Sequence, residues 1–366
     1  KNKAKIDEPI ILSVDQNIQF IIRETLRKSM RVFDAKGASG ILLDAQSGKV
    51  LSMISLPDYN PNNRRELANK KYLFNKNTKG LYELGSIFKT FVIANALEKK
   101  IVTRDKIYKN LPKEVKCGKF PIREYKYSLD KKNLTVNDIL VESSNIGTIR
   151  IIQESGLDSY RKFLENLEIF NYSKIELPEV SASTKKRWGK CNTLTAGYGH
   201  GINTTPIQLT RAFAAIINGG YLFDVSLLKN KDPKFKSKII SKKNSETMRK
   251  ILRTNVDKNY TRGGSGRKAD IKGYNVMGKT GTAEKPLKLS RGYSNEILNI
   301  FTSAFEVNSK FYVLTIVIDE PKGSKKLWGH NRREAGWNAG YVNGQIIEKI
   351  GPILNTLKFD EYVKLN

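Results

Sequence analysis

One helical segment limits the folds open to this chain. Phe88, Phe91, Val92, Ile93, Ala94, Ala96 and Leu97 leave almost no polar face before Glu98, and a helix that is apolar all round must be enclosed by other elements on every side. The chain has 366 residues, enough for a sizeable core held as one large domain or as a main domain with a small appendage. Two polar residues stand at the start of the enclosed segment. Ser86 and Lys89 are three apart, so on a helix they share a face with Cβ atoms roughly 5–6 Å apart. That is the geometry a nucleophile and its base require. A solvated lysine is protonated at neutral pH and accepts no proton, whereas burial favours the neutral amine. Gly85 suits a tight entry into the helix, whose N-terminus places partial positive charge beside the Ser86 hydroxyl.

Ser-x-x-Lys alone is a weak signal in a lysine-rich chain. The same spacing recurs at Ser128/Lys131, Ser159/Lys162, Ser183/Lys186, Ser226/Lys229 and Ser265/Lys268. None of these combines a preceding glycine with a long apolar run after the serine. Two later segments add weight. Ser143 and Asn145 follow the apolar-periodic stretch Leu134 to Val141, where a helix should give way to a turn and a second helix near Ile146. A hydroxyl and a carboxamide there suit proton relay to a leaving amine and the holding of a substrate amide, although Ser-Ser-Asn is also an ordinary capping sequence. Lys279, Thr280, Gly281 and Thr282 follow a strand-like run from Tyr274, and period-two alternation puts Lys279 and Gly281 on one face. On an edge strand, Gly281 would let a peptide lie against the backbone as an added strand. Lys279 would supply positive charge, Thr280 and Thr282 hydroxyls for a carboxylate, and the N–H groups of Thr282 and Ser86 an oxyanion hole.

The motifs in this order, with their surroundings, resemble the transpeptidase domain of class B penicillin-binding proteins, most of all the division-specific FtsI type. The likeness runs from about Ile11 to Leu354. It is carried by Gly40 to Asp44, Ser47 to Met53, Pro57 to Asn62, Tyr198 to Ile202, Thr205 to Leu209, Asn218 to Gly220, Glu284-Lys285, Arg291 to Tyr293 and Asp319 to Pro321. The resemblance implies an α+β fold of the penicillin-binding transpeptidase and serine β-lactamase-like class, with a mostly antiparallel five-stranded sheet flanked by helices plus an all-helical lobe. Residues 1–366 would form one transpeptidase domain, with 1–36 as linker and helix and 86–255 as the mainly helical lobe between the sheet-forming halves.

The resemblance also implies the chemistry. In D,D-transpeptidation a serine attacks the D-Ala-D-Ala bond of a peptidoglycan stem peptide, releases D-alanine, and passes the acyl group to an amine on a neighbouring strand, with no metal or cofactor. β-Lactams mimic the dipeptide and acylate the serine. Carried over, Ser86 is the nucleophile, Lys89 its base, Ser143 and Asn145 the proton-relay and substrate-positioning groups, and Lys279, Thr280, Gly281 and Thr282 the carboxylate- and oxyanion-binding strand. Expected partners are stem peptides, β-lactams, a membrane glycosyltransferase and other division proteins. The expected place is the periplasmic face of the inner membrane, with the anchor upstream of this chain, which opens on Lys1 and reads as a catalytic fragment or shortened form. Two departures stand out. Ala335 to Tyr341 lacks the usual alanine pair and proline, and an Asp-x-His usual between the first two motifs is replaced near Arg123-Glu124-Tyr125.

The formal net charge of +29 raises nucleic acid as a partner. The lysines are spread through every segment, however, without a basic stripe interleaved with aromatics, which argues against it and leaves lysine-rich composition or attraction to anionic lipid. No apolar run approaches the roughly 20 residues that span a bilayer. Cys117 and Cys191 lack zinc spacing; a disulfide and two free thiols both stay open, the thiols being favoured. His200 and His330 could serve a Ser-His-Asp triad, with a structural histidine the plainer reading of His200.

Periodicity predicts a helix from Asp15 to Phe33, a hairpin of Ser39 to Asp44 with Lys49 to Ser55, and a mainly helical middle that includes Pro206 to Asn218. Strands are expected at Tyr274 to Ala283, Asn299 to Glu306 and Phe311 to Ile318, and a closing helix at Asn338 to Leu354. Strands from both ends would share one sheet, with the site between sheet and helical lobe. Three rivals stand: on the same residues, a β-lactamase, which needs a group to activate water and shows no convincing acidic loop for it, and a D,D-carboxypeptidase; and, from a different class, a β-lactam sensor or a division scaffold whose chemistry is dispensable.

Overall fold

A computed structural model describes residues 9–63, 65, 72–125, 132–183, 188–287 and 292–357. Ser128, Lys131 and Lys186 of the competing Ser-x-x-Lys pairs, and Arg291, lie outside the described residues. Asp15 accepts the Ile18 N–H and so caps α1 (Gln16–Val32), which buries Ile18, Ile22, Leu26 and Ser29. The hairpin β1 (Gly37–Asp44) and β2 (Val50–Leu56) follows.

The middle of the chain holds α2 (Phe88–Glu98), α3 (Val136–Val141), α4 (Asn145–Ser155), α5 (Leu157–Asn166), α6 (Lys190–Ala196), α7 (Pro206–Ile217) and α8 (Lys242–Val256). It is less purely helical than periodicity suggested. Three two-stranded ladders interrupt it: β3 (Ile107–Tyr108) with β6 (Leu134–Thr135), β4 (Glu114–Cys117) with β5 (Phe120–Arg123), and β7 (Tyr221–Phe223) with β8 (Phe235–Lys238). These strands span only two to four residues, too short for an alternating pattern to register. The chain then returns through β9 (Met277–Pro286), β10 (Tyr293–Val307) and β11 (Lys310–Asp319), followed by α9 (Lys325–Trp328) and α10 (Ala339–Thr356).

The first two and last three strands form one five-stranded sheet in the order β2-β1-β11-β10-β9, antiparallel throughout. Alternation along the central strands feeds two separate cores. Ile41, Leu43, Ile300, Val313 and Val317 join the helical lobe in one apolar cluster. Their neighbours Leu42, Phe301, Leu314, Ile316 and Ile318 pack in a second cluster with α1 and α10. Every residue of β1 is buried as a result. The α2 helix buries all its residues from Phe88 to Leu97, as its lack of a polar face requires. The sheet's β9 edge faces the start of this helix, and the motif residues meet there.

Cys117 and Cys191 are joined in a disulfide with Cα atoms 5.7 Å apart. The expectation of free thiols is therefore corrected. The β4–β5 hairpin, absent from the periodicity reading, carries Cys117 to α6, and nothing in the spacing of the two cysteines could reveal that approach.

Candidate active site

Ser86 lies in a single 3-10 turn, Gly85–Ile87, that leads directly into α2. Three glycines let backbones close around it. A Cβ on Gly85, whose φ is +60°, would lie 2.7 Å from the Thr282 carbonyl oxygen and 3.0 Å from the Thr282 nitrogen. One on Gly199 would lie 2.1 Å from the Gly85 oxygen, and one on Gly281 2.3 Å from the Leu84 oxygen. The Leu84–Ser86 backbone is thus held between β9 and the Tyr198-Gly199-His200-Gly201 turn. This revises the sequence reading of Gly281: the space its side chain lacks is taken by Leu84 of this chain, because the Lys279/Gly281 face looks inward. The backbone edge of β9 remains outermost in the sheet.

Ser143 sits between α3 and α4 with φ +56°, a left-handed conformation that is strained for a residue with a Cβ. Its hydroxyl is where the three motifs meet. Lys89 Nζ donates to Ser143 Oγ at 3.1 Å, to Asn145 Oδ1 at 2.8 Å, and to the Ser143 carbonyl. From the opposite wall, Lys279 Nζ donates to the same Ser143 Oγ at 3.0 Å and to the Thr280 carbonyl at 3.1 Å. Both lysines are fully buried. Burial away from water disfavours the charged form and brings the Lys279 amine down to about 7. A lysine so placed exchanges protons with a neighbouring hydroxyl near neutral pH.

Thr280 is nearly buried, Thr282 is exposed, and Ser86 is half-buried. The eight residues singled out from the sequence therefore lie on three adjoining segments of one cleft. Among the competing pairs with described residues, Ser265 alone comes to this place. Its Oγ lies 2.6 Å from Thr280 Oγ1, extending the row of hydroxyls along β9, and its glycine-flanked setting (Gly264, Gly266) was the only sequence cue.

Sequence reasoning also missed Glu124. Its carboxylate accepts from Ser144 Oγ and from the backbone N–H groups of Asn145 and Ile146, at the spot where the Asp-x-His pattern was found wanting. The histidines form no triad. His200 lies against Tyr198 and Tyr293, with ring centroids 6.2 and 4.8 Å away, and its Nδ1 is 3.7 Å from Glu83 Oε2. Glu83 in turn accepts from Tyr293 Oη at 2.8 Å and Gly201 N at 3.1 Å, which ties the Tyr-Gly-His-Gly turn to the segment that precedes Ser86. His330 packs edge-on to Trp337. Among the described residues no three His, Cys, Asp or Glu side chains gather as metal ligands would, and no helix is long and apolar enough to cross a membrane.

Comparison with known proteins identifies the family. Residues 38–336 match the family described as the penicillin binding protein transpeptidase domain. The peptidoglycan D,D-transpeptidase FtsI of Buchnera aphidicola subsp. Baizongia pistaciae is 34% identical over 364 residues, 97% of this chain and 60% of that protein. The protein of the same name from Escherichia coli K12 is 27% identical over 328 residues, 87% of this chain and 53% of that protein. The chain thus spans between half and two thirds of the length of these relatives. Among solved structures, the transpeptidase domain of Burkholderia pseudomallei penicillin-binding protein 3 superposes with a TM-score of 0.80 at 24% identity, covering 94% of this chain and 97% of that one. Penicillin-binding protein 3 of Mycobacterium tuberculosis, complexed with aztreonam, gives 0.82 at 22% identity over 93% of this chain and 79% of that one. By the extent of the family match and by its fold, the chain belongs to the penicillin-binding protein transpeptidase domain family.

Proposed function

We propose that this chain is a serine-type peptidoglycan D,D-transpeptidase that cross-links stem peptides during septal wall synthesis. The observation that carries the reading is the shared hydroxyl: Ser143 Oγ accepts from both Lys89 and Lys279, uniting three motifs from three segments beside Ser86. In this reading Lys89 takes the Ser86 proton while Oγ attacks the carbonyl of D-Ala-D-Ala, which requires it to give up one of the three hydrogen bonds it donates here so that its lone pair is free. The backbone N–H groups of Ser86 and Thr282 stabilise the oxyanion. Collapse breaks the C–N bond, and the departing D-alanine nitrogen takes a proton relayed through Ser143. An acceptor amine then attacks the ester, loses a proton by the same route, and frees Ser86. Lys279, Thr280 and Thr282 bind the terminal carboxylate, and the outer edge of β9 aligns the peptide as an added strand.

A β-lactam, with its own carboxylate and strained amide, enters the same site and acylates Ser86. The relatives' names support the substrate class, and the disulfide supports an oxidising compartment outside the cytoplasm. Membrane attachment through a preceding segment, a glycosyltransferase partner and other division proteins complete the proposal. The test is incubation of the purified chain with a fluorescent penicillin, followed by intact mass and peptide mapping, with Ser86→Ala alongside. One long-lived adduct on Ser86, absent from the variant, is expected. Rapid turnover of the adduct would point to a β-lactamase, and failure to label would leave a scaffold.

A further inference from the structure

The loop that carries Ser143 and Asn145 is gripped from outside by the end of the β4–β5 hairpin. Helix α4 has its own N-cap in Ser144, whose Oγ accepts the Gly147 N–H at 2.9 Å. A helix start leaves further N–H groups without intrahelical partners, and here a residue twenty or more positions away supplies them. Glu124 Oε2 accepts the Asn145 N–H at 3.0 Å, while Oε1 accepts the Ile146 N–H at 2.9 Å and the Ser144 hydroxyl at 2.5 Å. A carboxylate at this end of a helix also meets the positive pole of its dipole.

The preceding residue acts on the side chain. The Arg123 carbonyl accepts from Asn145 Nδ2 at 2.8 Å, which turns Oδ1 toward Lys89 Nζ, 2.8 Å away. The amide is therefore held at both ends. The far end of the hairpin is fixed in its turn by the Cys117–Cys191 disulfide to α6. Three donors on one carboxylate exceed what a single cap needs, and all three belong to the segment that orients Asn145.

Resting on the transpeptidase reading, we propose that Glu124 is a positioning residue for acylation: it clamps the Ser143–Asn145 loop from the hairpin so that Asn145 holds the Lys89 amine beside Ser86. Glu124 touches neither substrate nor Ser86 in this role. It acts through Asn145.

The test is saturation kinetics of fluorescent-penicillin acylation, which separates the non-covalent binding constant from the first-order acylation constant, together with melting temperature. Glu124→Ala is expected to lower the acylation constant about tenfold to a hundredfold, as displacements near 1 Å do, with binding changed by less than about threefold. Glu124→Gln keeps one acceptor oxygen but sets an amide N–H against backbone donors, and should fall between. Lys116→Ala, an exposed change on the same hairpin, should leave both constants as they are. An acylation constant for Glu124→Ala within about twofold of the unsubstituted chain would overturn the proposal. So would a loss that merely follows the unfolded fraction as temperature is varied. If Glu124→Ala does not fold, Glu124→Gln decides: slower acylation at an unchanged melting temperature supports the clamp, and unchanged acylation refutes it. Absence of any Ser86 adduct on the unsubstituted chain would remove the transpeptidase reading and the clamp together.

Discussion

Replacing Gly281 by alanine asks how the nucleophile is held in place. The added Cβ would lie 2.3 Å from the Leu84 carbonyl oxygen and 3.2 Å from Ile87 Cγ1. Non-bonded heavy atoms rest about 3.5–4.0 Å apart, so the Leu84 carbonyl has to retreat by about 1 Å. Its room to do so is small, because Leu84 is fully buried and a Cβ on Gly199 would already lie 2.1 Å from the neighbouring Gly85 oxygen. Gly281 has no left-handed φ, so alanine brings a steric effect without backbone strain. A 1 Å displacement of a catalytic group costs about 10²-fold in rate, near 2.7 kcal/mol of barrier, and overpacking of this kind costs about 1–3 kcal/mol of stability. The second-order rate constant for fluorescent-penicillin acylation, measured at a temperature well below melting, reads the first of these. A Gly281→Ala chain that is acylated within about threefold of the unsubstituted rate would refute the reasoning, since the nucleophile would then be indifferent to the backbone beneath it.

Lys279 gives a prediction in pH. Its folded pKa of about 7 lies below the ordinary 10.5, so the unfolded chain binds more protons than the folded one between those values and stability rises with pH across that window. Relative to Lys279→Met, urea stability of the unsubstituted chain should therefore climb from pH 7 to about 10, by at most about 4 kcal/mol, and a flat difference would contradict the burial argument. Reduction of Cys117–Cys191, whose partners are 74 residues apart, should lower stability by roughly 4 kcal/mol on loop entropy; uptake of iodoacetamide by the denatured but unreduced chain would show that the bond is not there.

What could be read from the sequence was whatever lay in local pattern. Asp15 before an amphipathic run marked α1, Pro206 after Thr205 marked α7, and the β-branched run from Phe311 marked β11. Boundaries slipped where local chemistry interrupts pattern. The expected start of β9 at Tyr274 moved to Met277 because Asn275 takes a positive φ of 44°. The expected start of β10 at Asn299 moved back to Tyr293, which pairs with Pro286 of β9 beyond an irregular stretch where the register shifts before Ile297. The motif residues were found because each carries a short signature of its own. Glu124 and the disulfide have none, and Ser265 has only its flanking glycines, since each depends on segments remote in sequence lying side by side. Gly281 was seen as important but for a peptide outside the chain, because alternation shows which face a residue takes and not what fills the space opposite.

Ser143 shows stability and chemistry set against each other within one residue. Its left-handed backbone, at φ +56°, is one that glycine adopts freely and that costs a residue with a Cβ about 1–2 kcal/mol. A chain drifting toward greater robustness would gain by losing this side chain, and would lose with it the hydroxyl on which two buried lysines converge. The most stable sequence for this fold and the most active one therefore differ at position 143, and thermal stability alone is the wrong criterion for choosing variants of the cleft.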